Sequence, residues 1–262
     1  MKSILFFTLL ICFSMGQELN TFDQTKVKAD NVFDELEGKG STLTFVNIRD
    51  NSLEVVGIVE INGKEFPLKH GKLHLSESYL KEIGDQEVTI YFRSTSYIDT
   101  HFRVPIYLGN IYKELFYVVD RTQPDKVHIV LDWDNRARKY DLDSHLKTNS
   151  MHVYYLNKSE TGADGERVTL SRDITRTNAY ETITIDKPSK KDVYNYIVKR
   201  YRGRNDWVSK NVSVSLYMDN KLTKRYELNK GKSSDDDYWY VFKLSSYSHL
   251  EHVDRLVDSM DL

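Results

Sequence analysis

Short runs of alternating apolar and polar residues recur from Leu43 onward, and a period of two is typical of strands that bury one face. The first block contains seven such runs, at Leu43–Ile48, Leu53–Ile61, Glu65–Leu68, Lys72–Leu75, Glu87–Arg93, His101–Leu108 and Leu115–Asp120. Asn62-Gly63 favours a type I′ turn, because both central positions of that turn need positive φ. Residues 41–122 are therefore predicted to form a small antiparallel β-sandwich.

The second block predicts nine strands, at Val127–Asp132, Leu142–Leu146, His152–Asn157, Arg167–Asp173, Glu181–Asp186, Val193–Tyr201, Val212–Met218, Leu222–Leu228 and Tyr238–Leu244. Val193–Tyr201 is apolar on both faces, which predicts a central strand. Pro124 lies in a polar run, 122–125, that marks the boundary between the blocks. Residues 126–245 are predicted to form a second antiparallel β-sandwich, of immunoglobulin-like or jelly-roll-like topology, so the fold class is all-β.

The two ends of the chain have different patterns. A positive start, an apolar core at Ile4–Phe13 and small residues at Ser14 and Gly16 predict a secretory signal peptide over 1–16, cleaved before Gln17. A membrane anchor would need about twenty apolar residues. Residues 17–40 are polar and predict a flexible lead-in. In 246–262 apolar residues recur at helical spacing, which predicts a short amphipathic helix or a frayed tail.

Composition excludes several classes of function. The single cysteine, Cys12, leaves with the predicted signal, which excludes disulfides, thiol nucleophiles and cysteine-ligated zinc in the mature chain. The 37 Lys and Arg residues nearly balance the 39 Asp and Glu residues, so no overall field favours nucleic acid or an anionic membrane. No later stretch is long enough for a membrane span. Sequons at Asn157 and Asn211 predict glycosylation if the source is eukaryotic.

The stretch Val127–Leu146 holds the densest set of candidate ligands in the chain. It is predicted to be a hairpin with four aspartates and one histidine, Asp132, Asp134, Asp141, Asp143 and His145. No HExxH, GxSxG or glycine-rich phosphate loop occurs anywhere in the sequence.

The second block resembles the YfaP-type family of secreted, mostly bacterial β-sandwich domains. The matching motifs, in order, are Leu131-Asp132-Trp133, Asp141–Leu146, His152–Tyr155, Leu170–Asp173, Glu181–Ile185, Tyr194–Tyr201 and Tyr238–Phe242. Two positions depart from the family pattern, Asn178-Ala179-Tyr180 before the glutamate and Ser171 in place of an aspartate. The resemblance implies a non-catalytic surface or periplasmic module. Gly57–Lys64 resembles the opening of carboxypeptidase-regulatory-like domains, which commonly precede it.

The motifs single out four acidic residues, Asp141, Asp143, Asp173 and Glu181, as a candidate Ca²⁺ site, because hard cations take several carboxylate oxygens. The alternative is that these acids accept backbone N–H bonds at turns. His145 and His152, with an aspartate, are a weaker candidate for zinc. Exposed tyrosines and Trp207 are candidates for stacking on sugars.

These patterns predict a secreted, non-catalytic binding or interaction protein of the extracellular space, cell surface or periplasm, with an extracellular protein or a glycan as its partner. A calcium-dependent carbohydrate-binding protein is the first alternative, with Ca²⁺ as its cofactor. A secreted hydrolase is the second, because the separation of two catalytic acids is not readable from sequence.

Overall fold

The computed structural model describes residues 40–49, 53–111, 113, 115–121, 126–133, 141–172, 179–202, 207, 212–228, 236–245 and 249–260. The predicted signal peptide, the lead-in up to residue 39 and the boundary run 122–125 lie outside these residues. The described elements are, in chain order, β1 (Ser41–Asn47), β2 (Gly57–Ile61), β3 (Lys64–Leu68), β4 (Lys72–Leu75), α1 (Glu77–Ile83), β5 (Gln86–Arg93), β6 (Thr100–Tyr107), β7 (Asn110–Ile111), β8 (Leu115–Val118), β9 (Lys126–Trp133), β10 (Asp141–Lys147), β11 (His152–Val153), β12 (Ser159–Thr161), β13 (Arg167–Arg172), β14 (Ala179–Asp186), β15 (Val193–Arg202), β16 (Ser213–Met218), β17 (Lys221–Glu227), β18 (Tyr238–Ser245) and β19 (His249–Val257).

Strands β1–β8 form the N-terminal sandwich. A three-stranded sheet, of order β4-β1-β8, faces a five-stranded sheet, of order β3-β2-β5-β6-β7. Alternate side chains, such as Phe45 of β1 and Phe92 of β5, fill the core between the sheets, where their rings stack with centroids 5.4 Å apart. The predicted all-β fold is confirmed here. One pairing departs from the antiparallel expectation, because β1 and β8 run parallel.

The short helix α1 was not predicted from the sequence. Ser76 caps its first turn, where the Ser76 hydroxyl accepts a hydrogen bond from the backbone N–H of Tyr79. Gly84 ends the helix at φ 85, a value that favours glycine. Leu80 is its one buried residue. Tyr79, Leu80 and Ile83 lie at helical spacing, and Tyr79 and Ile83 pack partly buried against the core beside Leu80. A run of seven residues is too short for this period to be recognised in the sequence.

Strands β9–β19 form the C-terminal sandwich. A six-stranded sheet, of order β12-β13-β14-β9-β16-β17, faces a five-stranded sheet, of order β11-β10-β15-β18-β19. Strand β15 is the middle strand of the five-stranded sheet, as its apolar pattern predicts, and Tyr194, Tyr196 and Val198 from it are buried in the core. This core is separate from that of the N-terminal sandwich.

The predicted hairpin over Val127–Leu146 is wrong. Strand β9 pairs with β14 and β16, and β10 pairs with β11 and β15, so the two strands belong to opposite sheets. The physical reason is burial, because Ile129 and Leu131 of β9 face Leu142 and Leu146 of β10 across one core. The aspartates of these strands are therefore not cross-strand neighbours.

The predicted C-terminal helix or tail is also wrong, because residues His249–Val257 form the edge strand β19 beside β18. Leu250 and Leu256 pack against the core. Between them, His252 Nδ1 lies 2.7 Å from the hydroxyl of Tyr226, and Asp254 Oδ1 accepts from Trp239 Nε1 at 2.9 Å. A bulge in β19 between His252 and Arg255, where Asp254 has φ 43, and the two polar residues themselves break the period of two.

A third cluster of buried residues joins the two sandwiches. Its members are Val46, Ile48, Ile98, Tyr117 and Val119 from the N-terminal unit and Val130, Tyr180 and Tyr217 from the C-terminal unit, with Leu115 and Leu222 partly buried against them. The rings of Tyr117 and Tyr180 lie with centroids 4.0 Å apart. The outer face of the six-stranded sheet is therefore buried in part by the N-terminal unit.

Polar contacts flank this cluster. Lys113 forms an ion pair with Asp132 of β9. The hydroxyls of Thr100 and Tyr217 lie 3.4 Å apart. The guanidinium of Arg225 lies 4.7 Å from the centroid of the Phe102 ring, within the range of a cation–π contact. The contact of Arg225 with Phe102 places β17 of the C-terminal unit beside β6.

Candidate functional site

A cleft of about 400 Å³ lies where the N-terminal five-stranded sheet meets β17 of the other sandwich. The strand register places Glu60 opposite both Glu65 and Tyr91, and Tyr91 opposite His101. Directly paired residues share a face, so these side chains form a row across β3, β2, β5 and β6. Leu222 of β17 lines the side of the cleft that belongs to the C-terminal unit.

Tyr91 presents an aromatic ring in this row. In β5 the residues Val88, Ile90 and Phe92 are buried in the core, so Tyr91 between them points outward. It is 48% exposed, and its ring centroid lies 6.1 Å from that of His101 at a 44° angle. An exposed tyrosine ring offers an apolar face together with a polar hydroxyl.

The charged side chains around Tyr91 are paired with one another. Arg93 Nη2 donates to Glu60 Oε2 at 2.9 Å and to Glu65 Oε1 at 2.6 Å. Arg121 Nη2 lies 2.8 Å from Asp99 Oδ1, another carboxylate of the cleft. The cleft therefore carries several hydrogen-bond donors and acceptors while its opposite charges largely offset each other.

His101 is a neutral member of the row. Burial, followed by the guanidinium groups of Arg225 and Arg103, lowers the pKa of His101 below its ordinary value. The imidazole is accordingly uncharged at neutral pH. A neutral imidazole presents one N–H donor and one acceptor nitrogen to a ligand.

The acids predicted to bind calcium are dispersed where the structure describes them. The backbone N–H of Ser144 donates to Glu181 Oε2 at 2.6 Å, and the Ser144 hydroxyl lies 2.8 Å from that of Tyr196, both inside the sandwich. Asp143 precedes Ser144 in β10, so its side chain points to the opposite face of the sheet, where it is buried. Asp141 begins the same strand and is partly exposed, and Asp173 lies outside the described residues.

Glu181 of one sheet therefore accepts a hydrogen bond from the backbone of the other sheet. Accepting backbone N–H bonds is the role that the alternative interpretation gives to these acids. No group of three or more His, Cys, Asp or Glu side chains suited to a metal ion occurs among the described residues. The four-acid calcium site stays a prediction, because one of its members is not described.

His145 and His152 do lie together. His145 Nδ1 and His152 Nε2 are 3.0 Å apart, and both rings stack near Tyr154 on the outer face of β10 and β11. A hydrogen bond between the two imidazoles accounts for this distance, and the described part of the chain supplies no third ligand for zinc beside them. His145 is buried, at 2% exposed, whereas His152 is partly exposed.

Other predicted contact residues fall in different environments. The Asn157 amide nitrogen donates to the His152 carbonyl at 3.1 Å and also to Glu160, so a glycan on Asn157 would leave one N–H for two acceptors. Asn211 lies outside the described residues.

Trp207 is fully buried and donates to the carbonyl of Asp236 at 3.0 Å, so it offers no surface for stacking on a sugar.

The chain was compared with known proteins at three levels. No family model, curated protein or solved structure matches it. The resemblance to YfaP-type and carboxypeptidase-regulatory-like domains therefore rests on the sequence motifs alone. Among the described elements, no helix has the length and apolar character to cross a membrane.

Proposed function

We propose that this chain is a secreted, non-catalytic binding protein that takes its ligand in the cleft at Tyr91. The observation that supports the proposal is a half-exposed aromatic ring in a cleft lined by residues of both sandwiches. Ligand sites occur preferentially at domain interfaces and combine apolar rings with a few polar groups. Because both flanking elements are strands, the side chains are held more rigidly than on loops.

The state of the cleft acids supports binding over catalysis. Glu60 is engaged by Arg93 and Asp99 by Arg121. A hydrolase that uses two acids needs one of them to deliver a proton to the leaving group. Carboxylates held by guanidinium groups are suited to accept hydrogen bonds from a ligand.

Replacing Tyr91 by alanine is expected to weaken ligand binding while leaving the fold intact. We would screen the full chain by saturation-transfer NMR against soluble compounds of distinct classes: neutral oligosaccharides, uronates, quaternary amines and phosphate esters. Compounds that bind the wild type should lose at least about tenfold in affinity with Tyr91→Ala, because the stacking surface is gone.

Tyr201→Ala is the matched control, since Tyr201 is 60% exposed on a strand outside the cleft. It should retain wild-type affinity. The proposal fails if Tyr91→Ala binds every compound as the wild type does, and its non-catalytic part fails if a bound oligosaccharide is hydrolysed with saturation kinetics.

Secretion is tested separately from binding. The predicted signal peptide should be removed during export, so peptide mass spectrometry of the protein recovered outside the cytoplasm is expected to find an N-terminus at Gln17, as glutamine or as pyroglutamate. Protein that stays in the cytoplasm with residues 1–16 attached would contradict the proposed location.

A further inference from the structure

We infer that the ligand of the cleft is a neutral saccharide, stacked on Tyr91 and hydrogen-bonded by the side chains on either side of it. The inference rests on the proposed binding function and specifies its ligand class. It follows from the shape of the row, from its paired charges and from the neutral state of His101.

The row presents an apolar surface between polar groups. The ring of Tyr91 is flanked across the strands by the carboxylate of Glu60 and the imidazole of His101. A pyranose ring has the complementary form, with an apolar face of C–H groups and hydroxyls around its rim that both donate and accept. The C–H face suits the π-surface of Tyr91, and the rim reaches acceptors on one side and an N–H on the other.

The charge pairing disfavours ionic ligands. An anionic ligand beside Tyr91 would have to draw Arg93, the arginine that lines the cleft, away from two carboxylates, at 2.9 and 2.6 Å. A cationic ligand would have to displace Arg93 from Glu60 or Arg121 from Asp99, a pair at 2.8 Å. Replacing an existing ion pair by a new one gains little, whereas a hydroxyl can add a hydrogen bond to a paired carboxylate or guanidinium.

The size of the cleft limits the ligand. At about 400 Å³ it lies toward the small end of ligand pockets, and Leu222 closes one side. A short saccharide segment fits this space, with the remainder of a longer chain in solvent. The cleft therefore has the size for a part of a glycan.

The test is isothermal titration calorimetry of the full chain with neutral cello-, xylo-, malto- and chito-oligosaccharides, set against oligogalacturonate and chitosan oligomers as charged counterparts. Neutral oligosaccharides from at least one series should bind, with an affinity that changes by less than about twofold between about 20 and about 300 mM salt, because no ion pair forms. Tyr91→Phe should bind within about threefold of wild type, and Tyr91→Ala should lose at least about tenfold.

The outcomes separate this inference from the proposed function. In a first outcome, only the charged oligomers, or only the amine and phosphate compounds, bind, and their affinity falls steeply with salt and depends on Tyr91. The cleft is then a binding site, but the inference of a neutral saccharide is wrong. If saccharides bind equally well to wild type and Tyr91→Ala, the saccharide site lies elsewhere and both proposals fail. If no neutral oligosaccharide binds the full chain in either experiment, the inference is overturned, and the proposed function fails with it when none of the other compound classes binds through Tyr91.

Discussion

Lowering the pH from about 7 to about 5 is expected to reduce the free energy of unfolding by about 4 kcal/mol. Burial lowers the pKa of His128 to about 4, and burial, with His152 and Lys199 nearby, lowers the pKa of His145 to about 3. Above about pH 6.5 both imidazoles are neutral in the folded and the unfolded chain, so they leave stability unchanged. Below it only the unfolded chain takes up the protons, and each costs the fold about 2 kcal/mol at pH 5.

Variants of the two histidines test this cause directly. His145→Phe keeps a ring beside Tyr154 but binds no proton, and His128→Asn removes the other titrating group. Urea unfolding gives the slope of unfolding free energy against pH between about pH 5 and pH 6. In each variant this slope should fall by the amount that corresponds to the uptake of about one proton on unfolding. A slope that stays at the wild-type value in both variants would contradict the burial of these rings.

Tyr180→Ala is expected to destabilise the protein by about 3 kcal/mol and to divide its thermal unfolding into two transitions. The ring of Tyr180 is buried and lies 4.0 Å from that of Tyr117 across the contact between the sandwiches. Since each sandwich has its own core, removing this ring weakens the contact between them more than either core. Differential scanning calorimetry resolves whether one or two transitions occur.

Tyr201→Ala serves again as the control, because the same substitution at an exposed strand position should change stability by no more than about 0.5 kcal/mol. A Tyr180→Ala protein that unfolds in one transition with the stability of Tyr201→Ala would show that the cluster joining the sandwiches contributes little. The cleft would then lack a fixed wall at Leu222.

Most strands were predictable because their apolar residues alternate. Residues 87–93 were predicted as a strand and are found in β5, where Ile90 and Phe92 are buried. The exceptions have local causes. A bulge and the polar residues His252 and Asp254 concealed the period of two in β19. The pairing of β9 with distant strands cannot be inferred from its closeness to β10 in sequence.

The cleft was harder to predict than the fold, because its residues come from separate strands of one sheet and from the second sandwich. One signal was present. Tyr91 is an aromatic residue at an outward position of a predicted strand, between Thr89 and Arg93. The carboxylates chosen from sequence instead include Glu181, which is bound inside the core. The acidic motifs therefore do not point to the cleft, which depends on one ring and on the strand register.

The most direct test of the cleft as the binding site is a map of backbone amide NMR shifts as the tightest-binding compound of the screen is added. The expected result is a saturable set of shifts centred on Glu60, Tyr91 and His101 that extends to Leu222 in the other sandwich, since these residues line one cleft. Saturable shifts confined to another surface, such as that around Tyr201, would contradict it.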